Sequence, residues 1–340
     1  MTDAVLEKKM YRIRTGVISG RLATQMVLAT IVVVFLGTYA LLKVDIGPQD
    51  QSSRKTPRLL AVTRSVESPP NFAPSGPSHD TDVVVVPVDE LMKNPVSLQQ
   101  DDPRLIERIR SKFMFPPSKE PYNLVGKTDD PSMGQSKKIR EILGDQENGF
   151  FIECGALDGE TRSNTLVFEK RLGWSGVLIE GDPKNFELVT KKNRKAWTVN
   201  GCLSTFSYPN TVMFKQQFNV GKISSIEKGQ QQAGYAEVQC LPVYSILLAL
   251  NRTTIDYFSL DVEGAELPIL RTIPWDKVNI KTLSVEFVHG GEGKEAISKY
   301  MNSQGYDVYA EVTHPGWLAN DYIFVQKDLL NKIREKKGQV

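Results

Sequence analysis

Phe150-Phe-Ile-Glu-Cys-Gly-Ala-Leu-Asp-Gly159 is an apolar run that breaks into a turn carrying two glycines, Gly155 and Gly159. Gly176-Val-Leu-Ile-Glu-Gly-Asp-Pro183 is a second apolar run and ends in an acid, Glu180. Between them, Ser163 to Leu172 reads as a helix. Strand, glycine turn, helix, strand, acid is the unit with which an open α/β sheet holds a nucleoside at its carboxyl edge. Glycines allow the backbone close to a ligand, and a carboxylate at the second strand's tip can accept both ribose hydroxyls. The turn lacks the Gly-x-Gly-x-x-Gly pattern, which argues against a dinucleotide. S-adenosylmethionine has a ribose but no pyrophosphate and tolerates a looser turn.

Downstream, apolar runs recur at Ala196–Leu203, Ile255–Asp261, Lys281–Val288, Tyr306–Glu311 and Tyr322–Gln326. Helical segments separate most of them: Pro183–Asn193, Pro242–Leu250, Ala265–Arg271 and Lys294–Gln304. This alternation predicts a mostly parallel sheet covered by helices on both faces. Residues 204 to 241 interrupt the rhythm with short strand-like pieces, as an inserted flap would. Only Val312–Asn320 joins the last two runs, too short for a crossover helix, so they are expected to pair antiparallel and to end the sheet in one reversed strand.

The N-terminal third is built differently. Leu22 to Leu42 is 21 residues without a charge. As a helix it is ~31 Å long, matching a hydrocarbon core of roughly 30 Å. Lys8, Lys9, Arg12, Arg14 and Arg21 precede it, opposed only by Asp3 and Glu7. The expectation is a cytoplasmic tail (1–21), a transmembrane signal anchor (22–42) and a remainder in the lumen or outside the cell. A cleaved signal peptide is the alternative. Thirteen of the 19 prolines fall between Pro48 and Pro131, so residues 43–102 read as a disordered stem. A folded domain (103–330) and a basic tail (331–340) follow. A net charge of +2 gives no ground for expecting a nucleic-acid partner. Cys154, Cys202 and Cys240 lack metal-ligand spacing, so no metal site is expected. Three buried thiols are the simpler expectation, although an oxidising lumen allows one unnamed pair to bridge. The sequon Asn251-Arg-Thr253 is an acceptor site for a glycan under that topology.

Acids concentrate at Tyr257-Phe-Ser-Leu-Asp-Val-Glu-Gly-Ala-Glu266. A strand ending at Asp261, followed at once by Glu263 and Glu266, crowds negative charge where a ligand would sit. The next strand ends near Glu286 and His289, and a histidine there has the pKa range of a general base. Asp261, Glu263 and His289 are therefore the catalytic candidates. Lys191-Lys-Asn-Arg-Lys195 reads as the solvated end of a helix.

Ile152-Glu-Cys-Gly-Ala-Leu-Asp-Gly159, Ile179-Glu-Gly-Asp-Pro183, Leu260-Asp-Val-Glu-Gly-Ala-Glu-Leu267 and Asn320-Asp-Tyr-Ile-Phe324 together resemble the FkbM-type methyltransferase domain, over about residues 130 to 327. The family's first motif usually opens with Asp and continues Gly-Ala-Asn; here Glu153 replaces the Asp, and Leu157-Asp158 the Asn. Ser163-Asn-Thr-Leu166 and Leu172-Gly-Trp-Ser-Gly-Val-Leu178, behind an N-terminal anchor, are similar to the animal Star-like type II membrane proteins. The resemblance implies a class I methyltransferase (Rossmann-like) fold with one antiparallel strand, and S-adenosylmethionine held near Glu153, Gly155, Gly159 and Glu180. Within the Star group it implies export of growth-factor precursors (ligands of the EGF receptor) from endoplasmic reticulum to Golgi. The partners so implied are the membrane and such a cargo, with residence in the endoplasmic reticulum, Golgi or plasma membrane. The alternative is an active O-methyltransferase on a glycan or small acceptor. Topology favours the trafficking reading, because a charged cofactor made in the cytosol does not cross a bilayer unaided. The retained acids Glu180, Asp261 and Glu263 favour the enzyme.

Overall fold

A computed structural model of the protein describes residues 88–93, 98–224, 232–316 and 318–336. The expected anchor at 22–42, most of the stem and the final residues lie outside the described ones. No helix among the described residues is long and apolar enough to cross a membrane.

Twelve strands and nine α-helices alternate along the described chain. The strands are β1 Met114–Phe115, β2 Phe150–Cys154, β3 Ser175–Glu180, β4 Trp197–Asn200, β5 Cys202–Leu203 and β6 Asn210–Lys215. They continue as β7 Lys222–Ile223, β8 Tyr235–Leu241, β9 Thr254–Leu260, β10 Asn279–Glu286, β11 Tyr306–Thr313 and β12 Asn320–Gln326. The helices are α1 Val88–Lys93, α2 Pro103–Arg108, α3 Gln135–Leu143, α4 Leu166–Leu172 and α5 Pro183–Lys191. After them come α6 Val243–Ala249, α7 Glu266–Leu270, α8 Lys294–Ser303 and α9 Lys327–Lys336.

Eight strands form one mixed sheet in the order β1-β4-β3-β2-β9-β10-β12-β11. The central pairs, β4 with β3, β3 with β2, β2 with β9 and β9 with β10, are parallel. The order reverses direction at β2, where β3 and β9 lie on either side and leave a crevice at the carboxyl edge. Core residues alternate by face, as a sheet buried on both sides requires. Phe150, Ile152 and Cys154 pack on one side and Phe151 on the other; Tyr322 and Phe324 oppose Ile323 and Val325 in the same way.

The antiparallel pairing of β11 with β12 is as the short connection predicts. Its place differs: the reversed strand β12 slots between β10 and β11 instead of ending the sheet. At the other edge β1 also runs antiparallel, to β4, so the main sheet has two reversed strands, not one. The expected strand Ala196–Leu203 divides at Gly201, whose backbone lies close to that of Gln239 (a Cβ there would sit 2.7 Å from its carbonyl oxygen). β5 then leaves for a second, four-stranded sheet, β5-β8-β6-β7, which is the flap. In the flap Cys202 stands opposite Cys240 in register and forms a disulfide with it, so the expectation of three thiols is corrected; Cys154 alone is free, and buried.

Both expected domain ends move outward. The stem gives way before Asp102, since α1 is helical and Met92 and Leu98 are buried in the core. Asp102 nevertheless caps α2, accepting from the Arg104 N–H. At the other end α9 runs past residue 330, with Leu330 buried and Ile333 packed against the same cluster, so the basic tail begins as part of the fold.

Candidate active site

A cavity of about 350 Å3 lies over the carboxyl ends of β2, β3, β9 and β10, within the size range of small-molecule sites. Its walls differ in character. On the β3 side stand Glu180 and the flap residues Leu203, Phe214 and Phe218. On the β10 side stand Asp261, Glu263, Glu286, His289 and Asp321.

Glu180 ends β3 with its carboxylate buried. One oxygen accepts from the Asp182 N–H at 2.8 Å and the other from the Leu157 N–H at 2.7 Å. The Asn185 side chain also bonds the carboxylate, and the residue lines the cavity. Burial pushes its pKa up to about 7, against the opposing pull of those two N–H groups. Leu157 reaches its donating position in the left-handed region, at φ 57°. A leucine at a positive φ carries local strain at this turn.

Glu153 and the two glycines serve the scaffold more directly than the ligand. Glu153 lines the cavity floor, yet its carboxylate is taken up by Ser163 Oγ at 2.8 Å, Thr165 Oγ1 at 2.5 Å and the Asn164 N–H at 2.7 Å. Burial raises its pKa while Arg194 and these donors lower it. Gly155 is at φ 81°, and a Cβ there would lie 1.9 Å from the Asp261 carbonyl oxygen, so the β2 turn and the β9 tip touch only because that side chain is missing. Gly159, also at φ 81°, faces Val189 of α5 and does not line the cavity.

Arg194, read from the sequence as solvated, is buried. It donates to Glu169 Oε2 at 3.0 Å and the Gly159 carbonyl at 2.5 Å, and to Ser163 and Thr165 at 3.2 Å. Its guanidinium thus ties α4, the Gly159 turn and the Glu153 loop together. Nothing in a run of four cations among five residues separates the buried one from the others; only an unpaired Glu169 on an apolar helix face hinted at a partner.

Asp261, Glu263 and His289, the three catalytic candidates, converge. His289 Nδ1 lies 2.9 Å from Glu263 Oε2 and 3.3 Å from Glu286 Oε1. A carboxylate pair on Nδ1 favours the tautomer that holds its proton there, which leaves Nε2 as a base. Glu263 takes a left-handed φ of 60° just after β9. Asp261 is exposed at the tip of β9, where the other cavity residues surround its carboxyl. That setting raises its carboxyl above the usual range, with Arg162 and His289 pulling the other way.

Charge crowding shifts its neighbours as well. Burial lifts Glu263 to about 7, helped by Asp261 and Glu266. Glu266 rises to about 8 through burial and then Glu286, and Glu286 to about 8 through burial and then Asp261. Asp321, at the start of β12, reaches about 7 by burial and Asp261. Asp261, Glu266 and Glu286 each bring one carboxylate oxygen within 4.8 Å of the others, a spacing open to a divalent cation. Glu266 is partly committed elsewhere, accepting from the Val262 and Gly264 N–H groups.

Sequence reasoning missed a polar wall. Gln135, at the start of α3, donates to Asp321 at 2.9 Å, and Asn164 Nδ2 donates to Ser259 Oγ at 3.0 Å. Ser132 Oγ lies 3.0 Å from Gln135 Oε1 and 2.8 Å from Asn164 Oδ1, joining the two pairs. Arg162 adds a cation at φ 57° on the cavity wall.

Residues 153–308 match a family model described as the methyltransferase FkbM domain. Among solved structures, the FkbM methyltransferase of Methylobacillus flagellatus KT is similar at 16% identity and a TM-score of 0.36, over 53% of this chain and 44% of that one. The chain thus spans less than half of that relative's length. A methyltransferase from Pyrococcus furiosus is similar at 13% identity and TM-score 0.32, over 57% of this chain and 82% of the other. Aeropyrum pernix fibrillarin, solved with natively bound S-adenosyl-L-methionine, is similar at 11% identity and TM-score 0.35, over 56% and 72%. No curated protein matches the chain.

Proposed function

We propose that this protein is an S-adenosylmethionine-dependent O-methyltransferase acting on a hydroxyl of a glycan or small molecule. One observation carries the reading: a single cavity joins the Glu180 carboxylate to the His289–Glu263 pair. The cofactor is S-adenosylmethionine, and the residues present suit it. Glu180 turns a carboxylate acceptor to the cavity for the ribose, and apolar Leu203, Phe214 and Phe218 beside it offer a surface for a purine. Bound there, the cofactor supplies an electrophilic methyl group on a sulfonium. Asp261, Glu263, Glu286 and Asp321 line the other side with carboxyl groups, and their ionised forms favour a sulfonium cation.

The chain's own residues do the rest. His289 Nε2 takes the proton of the acceptor hydroxyl, while Glu263 and Glu286 hold the ring and stabilise the imidazolium that forms. The flap, Gly316 and residues 318–321 line the cavity and position both reactants. The growth-factor export role implied by the Star resemblance draws no support from the site, and the enzyme takes its place as our conclusion. The proposed lumenal or extracellular setting rests on the charge asymmetry around Leu22–Leu42; protection of the C-terminal region from protease in sealed microsomes tests it. For the activity, the purified chain is incubated with S-adenosylmethionine and a panel of oligosaccharides and small alcohols. Acceptor-dependent release of S-adenosylhomocysteine, lost in His289→Ala while cofactor binding persists, is expected; equal turnover by that variant removes the assigned base.

A further inference from the structure

We infer that Asn251 carries an N-linked oligosaccharide, added in the compartment in which Cys202 and Cys240 are oxidised. Asn251-Arg-Thr253 is the chain's single Asn-x-Ser/Thr sequon with a residue other than proline in the middle. It occupies the turn between α6 and β9, and all three residues are exposed. The backbone of the turn is fixed: Asn251 N–H donates to the Leu248 carbonyl, Arg252 N–H to that of Leu247, and the Thr253 carbonyl accepts from Asn279. Arg252 lies over the Phe150 ring, 5.1 Å from its centroid, which turns the central side chain aside. Neither the Asn251 amide nor the Thr253 hydroxyl makes a hydrogen bond with a described residue, so both acceptor groups of the sequon face solvent.

The position is compatible with a working domain. Asn251 precedes the amino end of β9, whereas Asp261 and the cavity lie past its carboxyl end. A strand of that length spans roughly 20 Å, so a glycan at the turn leaves the cavity mouth open. The disulfide is the independent second observation. A Cys202–Cys240 bridge persists in oxidising compartments, where N-glycosylation also takes place. In the transfer, Asn251 Nδ2 bonds to the anomeric carbon of a lipid-linked oligosaccharide diphosphate. The lipid diphosphate departs, and the displaced amide proton passes to the base of the transferase.

The competing account is purely local: Asn251 sits at φ 53°, a left-handed position that asparagine tolerates better than most residues. Asn251→Gly keeps that backbone preference and removes the acceptor, whereas Thr253→Ala keeps Asn251 and removes the sequon. The full chain and both variants are expressed in animal cells, treated with peptide N-glycosidase and compared on gels. Expected is a parent that shifts down by one glycan on digestion, with both variants already at the digested position. Thiol counting with a maleimide on the denatured, unreduced chain is run alongside, since one of the three cysteines reacts if the bridge has formed. A parent that does not shift overturns the inference. With one reactive thiol the compartment is right and the site fails; with three, both fail.

Discussion

Removing the Glu180 carboxylate separates its two tasks, bracing the turn and holding the ribose. Each oxygen accepts one backbone N–H, from Leu157 at 2.7 Å and Asp182 at 2.8 Å. Glu180→Ala leaves both buried donors without their partner, at roughly 1–3 kcal/mol each. The native carboxylate is itself costly to bury, with its pKa raised to about 7, so the net loss of stability belongs at the lower end of that sum. Hydrogen bonds from two ribose hydroxyls to a charged acceptor are worth roughly 1.5–3 kcal/mol each. Even if water replaces half of that, about 1.5–3 kcal/mol remains and affinity falls by at least tenfold, which is about 1.4 kcal/mol. Glu180→Gln keeps one acceptor oxygen and is expected to fall between parent and Ala. Thermal melts of the unliganded variants and calorimetric titrations with S-adenosylmethionine measure the two effects apart. A Glu180→Ala protein that is less stable yet binds the cofactor as tightly as the parent refutes the ribose assignment. Parental behaviour in both assays refutes the whole reasoning.

Three further outcomes follow from the same geometry. Asp261→Asn relieves repulsion with Glu263 and Glu286, so the unliganded variant is expected to melt at or above the parent temperature near pH 8 while methyl transfer is lost; a lower melting temperature with full turnover contradicts this. Glu263, Glu266, Glu286 and Asp321 have folded pKa values raised to about 7 or 8, so between their unfolded values near 4 and about 8 the folded state binds more protons. Their contribution to unliganded stability is therefore greatest below about pH 4 and lost toward pH 8, so denaturant melts should show stability falling from pH 5 to pH 8, and a rise over that interval is the opposing result. Cys240→Ser opens a bridge across a sequence separation of 38, which costs about 2–4 kcal/mol. Because Cys202 lines the cavity, cofactor affinity should fall as well, whereas a stable variant with parental affinity shows that the flap needs no bridge.

Much of the fold was legible because its central strands are buried on both faces and read as unbroken apolar runs, β2 and β3 above all. Helices were legible from the segments between those runs, and Asp102 and Asp182 each cap a helix that begins with the following proline. Strand order was harder. Chain length between β11 and β12 fixes their antiparallel pairing, but nothing in it records that β12 inserts beside β10. The two-residue β1 carries no periodicity at all. In the site, Asp261, Glu263 and His289 were visible as acids and a base at strand tips, and Glu180 as an acid in a strand–turn–helix–strand unit. Glu153 and Gly159 were given ligand roles from their place in a motif; Glu153 does line the cavity while Ser163 and Thr165 hold its carboxylate, and Gly159 faces Val189. Arg194, Gln135 and Asn164 went unseen because their partners lie far away in sequence, and local composition does not encode such pairings. The Cys202–Cys240 bridge was hidden for the same reason, since three cysteines allow three pairs.

Calorimetric titration of the purified, oxidised protein with S-adenosylmethionine tests the cofactor site directly. Saturable binding at one site per chain, displaced by S-adenosylhomocysteine and weakened at least tenfold by Glu180→Ala, is the predicted result. A folded protein with its disulfide intact that takes up no S-adenosylmethionine contradicts the methyltransferase assignment.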